Sequence, residues 1–291
     1  MVFRIIKYFT RKTILFLKNL IRLIKLSPKI LRDGGHLSIN VSTIKYDKIL
    51  KNKNILITGG SSGIGLSIAK KALELGANVI ITGRNKKKLD IAKINNKDLL
   101  ILEWDISKID ELPEKIKVVN SFFKDGLDIL VNNAGIVSKK LFPNVSSDEW
   151  DSIYNTNSKG LFFLTQAISN QWLKQLNTNV KKIINISSQG GFVGATYPYR
   201  LSKWDVVGLT KGLALELSKN NIIVNGIAPG IIKTKMQKNL IKSGNNYCKL
   251  NPQKRLAMPE EISELAVFLM SDASNFITGQ TIICDGGYSL K

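Results

Sequence analysis

The chain has 291 residues, 44% of them hydrophobic, enough to bury the core of one large α/β domain with an extension. Its formal charge is +21, but residues 1–53 hold 13 Lys/Arg against only Asp33 and Asp47, and no aromatic-basic RNA motif or helix-turn-helix signature accompanies the rest, so specific nucleic-acid binding is not expected. Two distant cysteines, Cys248 and Cys284, argue against a disulfide scaffold, and the single His36 cannot build a histidine-based metal site.

The N-terminal thirty residues carry Arg4, Lys7, Arg11, Lys18, Arg22, Lys25 and Lys29 close to a helical period. Ile5, Ile6, Phe9, Leu17, Leu20, Ile21 and Ile24 fall mainly elsewhere on the wheel, so an amphipathic helix is expected. No apolar run reaches spanning length, and no signal-peptide pattern is evident. Two readings fit: a helix lying on an anionic membrane surface, or one packed on its own domain or a partner subunit. The first places residues 1–31 in peripheral contact with the inner face of a membrane and the domain in the cytoplasm. Asp33-Gly34-Gly35 ends the segment, which divides the chain into an extension over 1–50 and a domain over 51–291.

From Asn54 onward short apolar strands alternate with helices. Strands are expected at Asn54–Thr58, Asn78–Thr82, Leu99–Glu103, Asp128–Val131, Lys182–Ser187, Ile222–Ile227 and Thr281–Cys284. Helices are expected at Gly63–Leu75, Glu111–Phe123, Asp148–Leu176, Tyr199–Ser218 and Pro259–Ser271. Such alternation implies α/β architecture, a Rossmann-type doubly wound parallel sheet with helices on both faces.

Between the first strand and the first helix lies Thr58-Gly59-Gly60-Ser61-Ser62-Gly63-Ile64-Gly65. Glycines let the backbone approach a pyrophosphate, and the helix start offers free N–H groups and a positive dipole end. The second strand ends at Thr82-Gly83-Arg84. An acidic residue in the Gly83 position would bind the adenosine ribose of NAD and repel a 2′-phosphate. With Gly83 there and the Arg84 guanidinium next, NADP(H) is favoured over NAD(H).

Later motifs follow in order. Asp105 follows the third strand, and Asn132-Asn133-Ala134-Gly135 the fourth. Asn157 lies in the third expected helix, Asp148–Leu176; Ser187-Ser188 ends the fifth strand, and Tyr199-Arg200-Leu201-Ser202-Lys203 follows. Then come Pro229-Gly230, Ile232 and Thr234, and finally Asp285-Gly286-Gly287. This ordered set, over nearly all of residues 52–291, resembles the short-chain dehydrogenase/reductase family. The resemblance implies a catalytic set of Asn157, Ser188, Tyr199 and Lys203. It implies a dinucleotide held by Gly59, Ser61, Ser62, Gly63, Ile64, Gly65, Arg84, Asp105, Asn132, Ala134, Gly135, Pro229, Gly230, Ile232 and Thr234, with Tyr199 and Lys203. It also implies a small carbonyl or alcohol substrate, a water relay at Asn157, and a homo-oligomer built on the two long helices.

The residue types suit the chemistry. Reducing a ketone takes a hydride for carbon and a proton for oxygen, and a positioned acid must give the proton. Tyrosine ionises near 10, and a neighbouring ammonium is expected to lower that value. Tyr199 and Lys203 are four apart and share a helix face, whereas the rival Tyr197 has Leu201 at that spacing. A non-catalytic scaffold on the same fold is the competing reading, and the intact Ser188, Tyr199 and Lys203 argue against it. The stretch Gln189–Pro198 is somewhat shorter than in many relatives. The segment Ile231–Met258 holds no acidic residue but Lys233, Lys235, Lys238, Lys242, Lys249, Lys254 and Arg255, which raises the expectation of an anionic substrate.

Overall fold

The computed structural model describes residues 47–175, 179–234, 248 and 250–290. The amphipathic segment expected at the N-terminus and most of the lysine-rich stretch after Thr234 lie outside these residues.

Seven strands form one parallel sheet: β1 Asn54–Ile57, β2 Asn78–Gly83, β3 Leu100–Glu103, β4 Ile129–Asn132, β5 Lys181–Ile186, β6 Ile222–Pro229 and β7 Thr281–Cys284. Their order is β3-β2-β1-β4-β5-β6-β7, every pair parallel. Helices cover both faces because successive strand residues point to opposite sides, and both sides are apolar. On one face Ile55, Ile57, Val79 and Ile81 pack against Ile68 and Ala72 of α1 (Gly63–Glu74) and Ile262 and Ala266 of α7 (Pro259–Met270). On the other, Leu56, Ile80, Leu130 and Ile183 meet Ile116 and Val119 of α3 (Leu112–Phe122). The same face takes Leu164 and Ile168 of α5 (Leu161–Lys174), and Ala214 and Leu217 of α6 (Pro198–Leu217).

Two helical expectations change. A helix α2 spans Lys86–Ile94, where none was expected. Its first turn is Lys-Lys-Lys and only Leu89 and Ala92 are buried, too narrow an apolar stripe to register in sequence; the Asn85 side chain caps it by accepting from Lys88 N. The single helix expected over Asp148–Leu176 is α4 (Ser147–Tyr154), a π-helical stretch over Asn155–Gly160, and then α5. Gly160 sits where an added Cβ would stand 2.5 Å from the Ile106 carbonyl oxygen, so the widened turn packs tightly against the backbone that follows β3. Among the described residues, no helix is long and apolar enough to cross a membrane.

A buried polar ladder crosses the sheet. Asn132 Nδ2 donates to Thr165 Oγ1 and Asn185 Oδ1, both at 2.9 Å; Asn185 Nδ2 donates to Thr210 Oγ1 at 3.0 Å, and Thr210 to the Val206 carbonyl at 2.7 Å.

Candidate active site

The strand order reverses direction between β1 and β4, and the crevice at the carboxyl ends of those strands is where open α/β sheets bind ligands. A cleft of about 360 Å³ opens there.

One end is built by the Gly-rich loop. Gly59 and Gly63 hold φ of +64° and +58°, which side-chain-bearing residues adopt at a cost. A Cβ on Gly59 would stand 2.8 Å from Ala134 Cα, so glycine lets this loop touch the loop after β4. Thr58, fully buried, joins them: its Oγ1 accepts from Asn133 N and Ala134 N, each at 3.0 Å. Asn133 Nδ2 returns bonds to the carbonyls of Thr58 (2.9 Å) and Gly59 (3.1 Å). Farther out the wall is Ser61, Gly83, Arg84, Asn85, Lys88, Trp104 and Asp105. Arg84 Nη1 stands 4.0 Å from Asp105 Oδ2, a loose pair. Asp105 Oδ1 is occupied by the Ser107 N–H and hydroxyl.

The other end is built by β5 and α6. Ser188 follows β5, starts the short turn Gln189–Gly191 and accepts from Gly190 N at 3.1 Å. Pro198 opens α6, where its missing N–H costs nothing, and Ser138 Oγ, on the loop after β4, caps Tyr199 N at 3.2 Å. Lys203 is buried, and its Nζ donates to the Ile186 carbonyl at 2.9 Å and lies 5.8 Å from the Tyr199 ring centre.

The electrostatics correct one expectation. Burial pushes the Tyr199 phenol above its ordinary value, opposed by its hydrogen bond with Ser188; Tyr197 adds to the rise and Arg200 opposes it. Burial pushes the Lys203 ammonium down to about 8. The expected lowering of the Tyr199 pKa is therefore not the net outcome: desolvation outweighs the influences that oppose it.

Most of the expected residues meet in this one cleft. Gly59, Ser61, Ser62, Gly63, Ile64, Arg84, Asp105, Ala134, Gly135, Ser188, Tyr199, Lys203, Pro229, Gly230, Ile232 and Thr234 all line it. Gly65, Asn132 and Asn157 stand behind the wall. Gly65 is packing space: a Cβ there would stand 2.4 Å from Asn133 Nδ2. Asn132 belongs to the buried ladder, and its neighbour Asn133 reaches the cleft instead. Asn157 spends its amide on the loop after β4, accepting from Ile136 N (2.9 Å) and donating to the Ile136 carbonyl and Ser202 Oγ, each at 3.0 Å. Both of its N–H donors are thus committed to protein. Reading the sequence missed Thr58, Lys88, Trp104, Asn133 and Ser138. The fold carries Lys88 and Ser138 into place with no local motif, whereas Thr58 and Asn133 sit inside motifs whose other residues drew the reading.

A cationic end (Arg84, Lys88), glycine backbone, and the orphaned buried donors Thr82 Oγ1 and Trp104 Nε1 in the wall fit a phosphorylated dinucleotide. Comparison with known proteins agrees with this architecture. A family model described as "Enoyl-(Acyl carrier protein) reductase" matches residues 59–289. The 3-oxoacyl-[acyl-carrier-protein] reductase of Chlamydia trachomatis is 36% identical over 245 residues, covering 82% of this chain and 98% of that protein. A crystal structure of a short-chain type dehydrogenase/reductase from Mycobacterium marinum superposes with a TM-score of 0.78 at 31% identity, covering 84% of this chain and 98% of the other. A gluconate 5-dehydrogenase from Burkholderia cenocepacia, in complex with NADP and tartrate, gives 0.76 at 30% identity, with 84% and 99% covered. The chain belongs to the short-chain dehydrogenase/reductase family and is an oxidoreductase.

Proposed function

We propose that the protein interconverts a carbonyl and a secondary alcohol with NADP(H), using Tyr199 as acid and base. The observation that carries this reading is that Ser188, Tyr199 and Lys203 line one end of a cleft whose other end carries Arg84 and Lys88. When bound, the dinucleotide supplies the hydride to carbon. The backbone around Gly59–Gly63 holds its pyrophosphate, Ser61, Arg84 and Lys88 hold the 2′-phosphate, and Lys203 holds the nicotinamide ribose. Gly230, Ile232 and Thr234 flank the nicotinamide.

In the reducing direction, Ser188 and Tyr199 donate to the substrate carbonyl oxygen. Burial keeps the phenol protonated until charge develops on that oxygen, and the proton then leaves Tyr199 Oη for the nascent alkoxide. The ammonium of Lys203, a few ångströms from the ring, stabilises the tyrosinate left behind. Oxidation runs the same steps backward. The test is NADPH consumption over a panel of ketones, 3-oxoacyl thioesters and sugar acids. A trans-2-enoyl thioester in the panel separates reduction of a double bond, which the matched family model's description names, from reduction of a carbonyl. Tyr199→Phe should lose about 10²–10⁴-fold in kcat and keep NADPH affinity. Full activity in that variant would refute the assignment.

We also read the groove between α5 and α6, lined by Phe162, Leu173 and Leu213, as the face that a second copy covers. Residues 1–31 are read as a basic amphipathic segment that tethers the domain to an anionic membrane surface, with the stretch to residue 50 as its connector.

A further inference from the structure

We propose that Arg200 is a specificity residue that holds a carboxylate of the substrate beside the reacting carbonyl. The inference rests on the oxidoreductase reading above and narrows its substrate to oxo acids and hydroxy acids.

Arg200 follows Tyr199 in the first turn of α6. That is an unfavourable place for a cation, because the helix start carries the positive end of the dipole. No acidic residue in that turn offsets it. Among the described residues, no carboxylate lies within ion-pairing distance of Arg200, whereas Arg84 and Arg255 each have one. A cation left uncompensated at an unfavourable local position marks a site where function overrides local preference.

The side chain is nevertheless held in one pose. Its Nη1 donates to the Gly194 carbonyl at 3.0 Å, and its Cζ lies 5.4 Å from the centre of the Tyr197 ring. The ring face attracts the guanidinium, and one N–H is spent. The remaining N–H donors keep the planar fork that binds carboxylate in a bidentate way.

The pose is beside the chemistry. A Cβ placed on Gly190 would stand 3.0 Å from Arg200 Cγ and 3.5 Å from Ser188 Oγ. The arginine stem and the serine hydroxyl thus flank one glycine, and that glycine gives the stem its passage. Arg200 and Tyr197 also act electrostatically on the Tyr199 phenol, Arg200 favouring its ionised form. The connection Gln189–Pro198 supplies both groups that hold the guanidinium, the Gly194 carbonyl and the Tyr197 ring. A carboxylate a few bonds from the carbonyl can reach the guanidinium while its oxo group meets Ser188 and Tyr199. The anion preference expected from the lysines after Ile231 is assigned here to a single fixed guanidinium instead.

The experiment compares kcat/KM for NADPH-dependent reduction of 3-oxobutanoate and 5-keto-gluconate with that of their ethyl esters. It uses the full-length protein, Arg200→Gln and Arg200→Lys, with thermal melting to confirm folding. The unmodified protein should favour acid over ester. The acid-to-ester ratio should fall about 10- to 100-fold in Arg200→Gln, the scale of a charge-assisted bond, and recover in part in Arg200→Lys. Isothermal titration of the Tyr199→Phe variant, with and without Arg200→Gln, should show the same loss in carboxylate binding. A ratio at or below one in the unmodified protein, or one unchanged by Arg200→Gln, overturns the inference and leaves the oxidoreductase reading standing. If neither acid, ester nor any thioester or ketone is reduced, both fall together.

Discussion

Replacing Thr58 by valine removes one hydroxyl and keeps the shape of the side chain. The hydroxyl accepts two backbone N–H groups, from Asn133 and Ala134, at 3.0 Å each, and donates weakly to the Val131 carbonyl at 3.4 Å. Thr58 is fully buried, and among the described residues no other acceptor meets those two N–H groups. A buried donor left without a partner costs about 1–3 kcal/mol. The two donors belong to a part-buried segment beside the cleft, where water can partly replace the lost acceptor. We therefore expect a loss of about 2–4 kcal/mol, toward the lower half of the doubled range. Thr58→Ser keeps the hydroxyl and loses one methyl, so it should cost about 1 kcal/mol. Urea unfolding measures the stability, and equilibrium titration with NADPH measures what the loosened loop does to the cleft. NADPH affinity should fall in Thr58→Val and hold in Thr58→Ser. Equal losses in the two variants, or a Thr58→Val cost below about 1 kcal/mol, would refute the view that this hydroxyl joins the loops.

Arg84→Ala and Lys88→Ala should each weaken NADPH binding and barely change NADH binding, as measured by dissociation constants; tighter NADH binding in the unmodified protein would contradict the cofactor reading. Reduction should slow as pH climbs through about 8, because the buried Lys203 loses the charge that stabilises tyrosinate; the pH profile of kcat/KM for a ketone checks this, and a rate still rising beyond pH 9 would count against it. Removing residues 1–31 should leave an active enzyme that no longer co-sediments with anionic vesicles, an attraction worth about 1 kcal/mol per basic residue near the surface. Equal sedimentation of both forms would assign the segment to packing.

Sequence reading found all seven strands, since uniformly apolar runs such as Ile183-Ile184 and Ile222-Ile223-Val224 stand out between polar connections. It missed α2, where Lys86-Lys87-Lys88 hides a stripe of only two buried residues. It also read one helix through Asn155–Gly160, since a one-residue widening leaves no mark in apolar periodicity. In Asn132-Asn133 the motif alone does not tell which amide faces inward; only the sheet, with Thr165 and Asn185 beside Asn132, separates them. The Tyr199–Lys203 spacing brought the right residues together but had no information on desolvation, which decides the direction of both pKa shifts.

The ladder from Asn132 through Asn185 to Thr210 bears on alignment along the strands. Parallel strands made of isoleucine, leucine and valine are greasy on both sides, so sliding one against its neighbour costs little in burial. Asn132 is registered opposite Asn185, and a slip would leave each amide facing hydrocarbon with its bonds unmade. Two buried side-chain amides thereby give a featureless pair of strands one preferred alignment. The catalytic end inherits that alignment, because Ser188 continues β5 and Asn133 continues β4. The spacing between the hydroxyl that meets substrate and the loop that meets cofactor is thus set inside the sheet, by one amide that directly precedes Asn133 and another three residues before Ser188.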